Sequence, residues 1–411
     1  MRVLLTEGSG LTSRQVAGRL GALGHHVGVL SSDGLGLTRF TRATGAWHRV
    51  RPFGADPLGW LDEAMSVYAG GAYDVLLPTQ EQVTVLAAHA ARLRANRIVT
   101  AVPDFAAVRA VQDKVSAWTT LDDLRLPQPQ GAVIHDDAEL ARWSRFPVFV
   151  KRPIGTATSG VHLVRDRAGF EALRRSGSID ASLPGDGVLL QAPVDGPLLM
   201  CQSVFRAGQL VAFHANTRER LGARGGASHK VGVARDDCRE ILERLGTALR
   251  WHGALSADVI VTDAGPSVID VNPRLVEPGN ALRDGLDLTR TLMDVALDRP
   301  VAVGPSQTGA RTHQLLLAVL GAAEQGRGRR GVARELIDAV RQRHSYAGST
   351  EELTPWRRDR RALVPVAAAS AVTLVHPPAW QWFASGSVSN YALTPAAWQT
   401  ICRSADGLTA P

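Results

Sequence analysis

The stretch Val268-Ile-Asp-Val-Asn-Pro-Arg-Leu275, "VIDVNPRL", sets an acid, an amide and an arginine at alternate positions of an apolar run. In a strand, side chains alternate between faces, so Asp270, Asn272 and Arg274 would share one face. Two readings fit. One is a strand with a solvated face, the common origin of such a pattern. The other is a metal and phosphate site. The preceding text, "ALSADVIVTDAGPSVIDVNPRL" (254–275), reads as a hairpin about "TDAGP" with its centre near Ala264. Asp258 and Asp270 lie equally far from that centre. A symmetric antiparallel hairpin would make them cross-strand neighbours, roughly 4.5–5.5 Å apart at Cβ. Carboxylates placed so repel, and one is driven toward protonation unless a cation lies between them. Two Asp and an Asn carbonyl are oxygen ligands that suit Mg²⁺ or Mn²⁺ rather than zinc.

Outward from this hairpin, the basic residues are informative. Of 46 Lys and Arg, only Lys114, Lys151 and Lys230 are lysines. A chain that otherwise uses arginine marks these as places for a compact ammonium. Lys151 ends the β-rich run "FPVFVKRP" (146–153). After it come Gly155, Thr156, Thr158, Ser159 and Gly160, small residues whose N–H and hydroxyl groups could approach a phosphate. A plain hairpin turn is the other reading of that loop. In "GVLLQAPVDG" (187–196), Pro193 cannot donate a ladder bond, which frees main-chain groups near Ala192 and Val194 to meet an adenine edge.

The N-terminal 100 residues alternate strand and helix: "RVLLTEG", "SRQVAGRLGALG", "HHVGVLSSD", "AYDVLLPT", "EQVTVLAAHAARL" and "RIVTAVPD". That alternation predicts a small doubly wound parallel sheet. Gly8 and Gly10 resemble the start of a dinucleotide fingerprint, but Ser13 stands at the third glycine and Asp33 is the best acid for a ribose. A plain strand-to-helix turn is the simpler account. Residues 104–124 read as one helix, 362–375 as strands, and the text after 300 as a further α+β region.

The net charge is +7, from 46 basic and 39 acidic residues. The excess is scattered, with clusters at 326–331 and 356–361. No recognition motif accompanies it, so we assign it to solvated surface rather than to nucleic acid. No apolar stretch is long enough to span a bilayer, and the start shows no signal peptide. Three widely spaced cysteines fit a reducing cytoplasm.

Taken in order, "QDKVSAW", "LPQP", "FPVFVKRPIGTATSGV", "VLLQAPVDG", "GGAS", Asp258 and "IDVNPRL" resemble the ATP-grasp superfamily, on the side of biotin carboxylase, the large subunit of carbamoyl-phosphate synthetase and the carboxylate–amine ligases. The resemblance covers about 100–295 and is looser for 1–100. It implies an α/β protein: a preATP-grasp Rossmann-like domain (1–100), an ATP-grasp domain with antiparallel sheets (101–300, divided near 186/187), and a C-terminal α+β domain (301–411). It also implies residue roles. Lys114 and Lys151 would contact ATP phosphates, with Thr158, Ser159 and Gly160 in the loop above them. Gln191, Ala192 and Val194 would hold adenine. Asp258, Asp270 and Asn272 would bind Mg²⁺ (or Mn²⁺), and Arg274 would act on the transferred phosphoryl group. Arg218, Gly225, Gly226 and Ser228 would lie near the acceptor. Leu198 stands where many members place an acid for the ribose. The implied activity joins a small-molecule carboxylate to an amine at the expense of ATP, and a homodimer is compatible with the family. Three other readings are weighed against it: carboxylation through carboxyphosphate, a catalytically silent nucleotide-binding regulator, and a nicotinamide-dependent oxidoreductase.

Overall fold

The computed structural model describes residues 1–155, 160–177, 187–301, 307–355 and 359–407. Three sheets organise them. The first comprises β1 (Arg2–Leu5), β2 (His26–Ser31), β3 (Thr44–Arg49) and β4 (Val75–Leu77), all parallel, in the order β3-β2-β1-β4. Val3, Leu4, Leu5 and Val75 to Leu77 are fully buried, as expected of a parallel sheet covered on both faces. The helix Leu11–Ala22 follows β1, and Gly24, at φ 81°, turns the chain out of it. One expectation fails here, and one strand was not anticipated. The run at 97–104 forms no strand; Val99 O accepts one bond from Leu76 N, but Arg97 at φ 57° and Pro103 interrupt the extended backbone. The strand β3, "TGAWHR", mixes polar and apolar residues and carried no clear sequence signal.

The text of 104–124 is two helices, Phe105–Gln112 and Lys114–Asp123. Asp113 separates them in extended conformation. Its carboxylate accepts from Ser116 N at 2.7 Å and Ser116 Oγ at 2.6 Å, which caps the second helix. The cap places Lys114 at the first helical position.

The second sheet is antiparallel: β5 (Gly131–Ile134), β6 (Val148–Lys151), β7 (Val161–Val164) and β8 (Val188–Gln191), ordered β5-β8-β6-β7. The third is built from β9 (Leu198–Arg206), β10 (Gln209–Leu221), β11 (Ala227–Val233), β12 (Gly253–Thr262), β13 (Gly265–Asn272), β14 (Arg311–His313) and β15 (Thr350–Glu351). Its order is β13-β12-β9-β10-β11-β14-β15, antiparallel except for the last pair. One face is apolar: Cys201, Phe205, Ala215, Leu255 and Ala257 pack on Cys238, Ile241, Leu242 and Leu245 of the helix Asp236–Ala248. The other is polar, carrying Gln202, His214, Asn216, Arg218, Lys230, Ser256, Asp258, Asp270 and Asn272, which the ladder pairing puts on one side.

The segment 362–375, expected as strands, is the helix Leu363–Val375. Pro365 lies in its first turn, where the missing N–H costs nothing, and a run of alanines follows. The residues after 301 reach both other parts of the protein. β14 and β15 complete the large sheet. The helix Pro395–Ala405 packs Trp398 against Phe105, ring centroids 5.8 Å apart, within the core shared with the N-terminal sheet. No described helix is long and apolar enough to cross a membrane.

If that docking stabilises the whole chain, Trp398→Ala should cost about 3–5 kcal/mol, the usual effect of emptying a buried aromatic site. Calorimetry would then show a melting temperature lowered by several degrees; a melt unchanged from the unsubstituted chain would contradict it.

Candidate functional site

The hairpin β12–β13 pairs Asp258 directly with Asp270, and Ser256 with Asn272. The route to that register was not evident from sequence. The turn is Thr262 to Gly265, centred between Asp263 and Ala264, and the ladder runs regularly to Val259↔Val268. There Ile269 is inserted as a β-bulge, and the pairing resumes with the two aspartates opposed. The bulge also exposes a carbonyl: Ile269 O accepts a 2.8 Å hydrogen bond from Lys151 Nζ at the end of β6. One lysine thus ties the small sheet to the edge of the large one, beside the aspartate pair.

The charges sense each other. Burial, and then Asp270, push the Asp258 carboxyl up to about 7, against the pull of Arg274, Lys151 and Arg218. Burial brings the Lys151 ammonium down to about 8. Lys114 adds to that shift, while Asp270 and Asp258 oppose it. Lys114 Nζ donates to Gly155 O at 3.0 Å, and its main-chain N–H to Pro153 O. Lys114, Trp118, Lys151, Leu189, Gln191, Val268 and Asp270 line one cleft between the two antiparallel sheets.

Of the loop above that cleft, Thr158 and Ser159 lie outside the described residues. Gly160, at φ 75°, accepts from Arg152 N and closes the neck of the loop. Gln191 is buried opposite Gly131 and Phe149. The Ala192 N–H is not free, as the proline had suggested; it donates to Gln130 O at 2.7 Å. Arg274, just past β13, directs Nε and Nη2 to Glu81 Oε1 at 3.2 and 3.1 Å, and Gln112 Nε2 donates to the other Glu81 oxygen. Glu81 belongs to the N-terminal part, and nothing in its local sequence marked it. Arg218 faces Lys230 across the β10–β11 ladder and donates to Gly225 O. Gly225 and Gly226 form the turn beneath it. The Ser228 hydroxyl donates toward the carbonyls of Arg220 and Leu221, which commits it to shaping that turn.

The third scarce lysine is the most enclosed. Lys230 Nζ meets Glu277 Oε2 at 2.5 Å and Glu352 Oε2 at 3.0 Å. Burial works against its charge, but the two carboxylates more than offset this and its pKa lies above that of a free lysine. Its scarcity was the one sequence signal for this cluster; the glutamates, 47 and 122 residues away, gave none. Tyr391 also reaches the area. Its hydroxyl, pushed up by burial, feels Arg274, Glu7, Glu81 and Glu277.

The dinucleotide-like turn is filled by the protein itself. The Glu7 carboxylate accepts from the N–H groups of Ser9 and Gly10 and from Ser13 Oγ, which occupies the start of the first helix where a pyrophosphate would sit. Asn390 Nδ2 donates to Ser9 Oγ (3.1 Å) and to Asp33 Oδ2 (3.4 Å), and Ser32 Oγ donates to Asn390 Oδ1. The acid that would grip a ribose holds a carboxamide instead.

Among the described residues no three His, Cys, Asp or Glu side chains converge on a metal position. Two carboxylates with the Asn272 amide oxygen nevertheless fit Mg²⁺, which keeps several waters and completes its shell on substrate phosphates. The raised pKa of Asp258 marks a like-charge conflict that such an ion would remove.

Residues 111–278 match a family model described as the ATP-grasp domain. Among solved structures, the biotin carboxylase domain of 2-oxoglutarate carboxylase from Hydrogenobacter thermophilus, in complex with MgADP, ADP and bicarbonate, superposes with a TM-score of 0.60 at 12% identity, over 76% of this chain and 74% of that one. An L-amino acid ligase from Bacillus licheniformis gives 0.58 at 16% identity (77% and 80%). The N5-carboxyaminoimidazole ribonucleotide synthetase of Thermus thermophilus gives 0.57 at 18% (76% and 81%). At these identities the likeness concerns the fold. Among curated proteins, no sequence matches the chain. The family match spans both antiparallel sheets' contributions to the lysine and aspartate cleft, and it identifies residues 111–278 as an ATP-grasp domain.

Proposed function

We propose that the protein is an ATP-dependent ligase that activates a carboxylate as an acyl phosphate and couples it to an amine. The observation that carries this is the convergence of Asp270, Lys151 and Lys114 on the cleft between the two antiparallel sheets, with Asp258 opposed to Asp270 beside it. In this reading Lys114 and Lys151 contact the ATP phosphates, and Gln191, Ala192 and Val194 line the base, with the Ala192 N–H excluded as a donor. Asp258, Asp270 and Asn272 would hold Mg²⁺, which when bound supplies the charge that offsets the phosphates. Arg274, oriented by Glu81, would face the transferred phosphoryl group.

The chemistry balances without other reagents. A carboxylate oxygen forms a bond to the γ-phosphorus as the bond to ADP breaks. The amine nitrogen then forms a bond to the acyl carbon, phosphate leaves, and the nitrogen loses a proton. Positioning and charge stabilisation supply most of the catalysis of such steps. The bond-forming partners are small molecules. Three free cysteines are consistent with a cytoplasmic site of action.

The direct test measures ADP and phosphate release with Mg²⁺ over a panel of amino acids, small acids and amines, with bicarbonate alone as a separate arm. Release that needs both an acid and an amine supports the ligase. Release with bicarbonate alone would support carboxyphosphate chemistry instead.

Asp270→Asn should lower ADP release about 100-fold or more, by removing a metal ligand. It should also raise the metal-free melting temperature at neutral pH, because it removes the charge that opposes Asp258. Near-normal turnover would remove Asp270 from the assigned role.

The pH dependence has a definite sign. Asp258 has a folded pKa of about 7 against an ordinary 3.8. Its contribution to metal-free stability is therefore present below the ordinary value and lost as pH rises toward 7. Mg²⁺ binding requires that proton to leave, so the half-saturating Mg²⁺ concentration should fall as pH rises through 7 and then level. A concentration that stays constant between pH 6 and 8 would contradict this.

A further inference from the structure

The polar face of the large sheet continues past the aspartates to the cluster around Lys230, enclosed by the N-terminal helix and the segment after β15. One ammonium lies between two carboxylates, Glu277 and Glu352, so the three formal charges sum to −1. Three amides complete it. Gln15 Nε2 donates to Glu352 Oε2 at 2.9 Å, and Gln15 Oε1 accepts from Gly279 N. Gln314 Nε2 donates to both glutamates, and Gln202 Nε2 donates to Glu277 O at 3.4 Å. Carboxylates and carbonyls only accept, so Gln202 and Gln314 must turn nitrogen toward Glu277 and oxygen away from it.

Those oxygens are the telling feature. Gln202 Oε1, Gln314 Oε1 and Glu352 Oε1 have no hydrogen-bond partner among the described residues. Gln202 and Gln314 are 1% and 0% exposed, and the Glu352 side chain 1%. Buried acceptors without donors are costly and rare in folded proteins. Glu277 adds a second sign of functional constraint. It holds φ at 52°, unusual for a residue other than glycine, and its N–H is fixed by Thr12 Oγ1 at 3.1 Å. An excess negative charge and three unpartnered acceptor oxygens in one buried cluster are what a cation bearing hydrogen-bond donors would satisfy.

We propose that the cluster of Gln202, Gln314, Glu277 and Glu352 binds the primary ammonium group of a substrate. This rests on the ligase reading and names the chemistry of one of its substrates. The ammonium belongs either to the amine substrate, which would pass one proton to Glu277 or Glu352 before its nitrogen attacks, or to the α-amino group of the acid that is activated. Bicarbonate, an anion, fits this end of the site poorly. The C-terminal part acquires a role here too, since Glu352 and Gln314 come from it.

The test uses the full chain with MgADP, titrated calorimetrically with methylammonium chloride and, as a cation of equal charge without donors, tetramethylammonium chloride. Methylammonium should bind saturably and tetramethylammonium should not. Gln202→Met removes one acceptor oxygen at nearly constant volume. It should weaken methylammonium binding about fivefold or more, the worth of one hydrogen bond, yet leave the ligand-free melting temperature equal or higher. A merely structural glutamine would not produce that split. Glu352→Gln, which removes the excess charge, should weaken binding as well. To separate the two sources, L-alanine and L-lactate are compared as the activated acid: a preference for alanine of about tenfold or more in ADP release places the ammonium on the acid, and equal use of both places it on the amine.

Equal binding of the two salts, binding of neither, or methylammonium binding unaffected by Gln202→Met would overturn the inference. MgADP binding is measured first on the same sample. Failure at that step overturns the ligase reading, whereas MgADP binding without discrimination between the two cations overturns only the ammonium assignment.

Discussion

Two carboxylates held face to face on adjacent strands are the constraint around which the two antiparallel sheets of this molecule are arranged. The hairpin would relax readily if either aspartate turned to solvent, yet the bulge at Ile269 returns the register to the opposed pair. The same bulge presents the carbonyl that receives Lys151, so the repulsive element and the element that recruits positive charge are a single local irregularity. A bulge re-aims side chains at the cost of one ladder position. Here it places a carboxylate pair, a lysine and the junction of two sheets within one small region.

The charged groups around this pair form a graded series. Lys151 has lost part of its affinity for a proton through burial, and Asp258 has gained some. Each shift would diminish if the opposite partner approached, so the apo cleft is held in a state that a bound cation and polyanion would relax. Farther along the sheet, Lys230 is fully compensated by its glutamates, and the surplus there is negative. The face thus changes character from an end where lysines meet an aspartate pair to an acceptor-rich end, where Arg218 pairs with Lys230 on the ladder.

What could be read from sequence follows from how local the cause is. The opposed aspartates were anticipated by counting a symmetric hairpin about Ala264, but the turn is centred half a residue earlier, and it is the bulge at Ile269, which no local pattern marked, that opposes them. The helix break at Asp113 was legible in principle, since an aspartate three residues ahead of Ser116 is a capping pattern, but helical periodicity on both sides obscured it. The helix at 363–375 was misread because its valine and alanine run has no polar period, and Pro365 looked like a breaker when it sits in a first turn. Glu81, Glu277, Glu352 and Tyr391 were beyond reach for a different reason. Each meets its partner through the fold, across separations of 31 to 337 residues for the side-chain pairs that bond, and no local pattern encodes that. Lys230 was noticed only through the chain's strong preference for arginine.

The large sheet is completed by β14 and β15, and Glu352 closes on Lys230 only once those strands are in place. During synthesis the N-terminal sheet, the cleft lysines and both aspartates emerge first, and they wait for some eighty residues beyond Asp270 before the buried lysine finds its second carboxylate. Until then a cationic side chain and its lone glutamate partner stand open at the edge of an unfinished sheet. The ribosome therefore delivers the lysine and aspartate cleft well before the cluster about Lys230 is complete, and a chain released early would carry the first without the second.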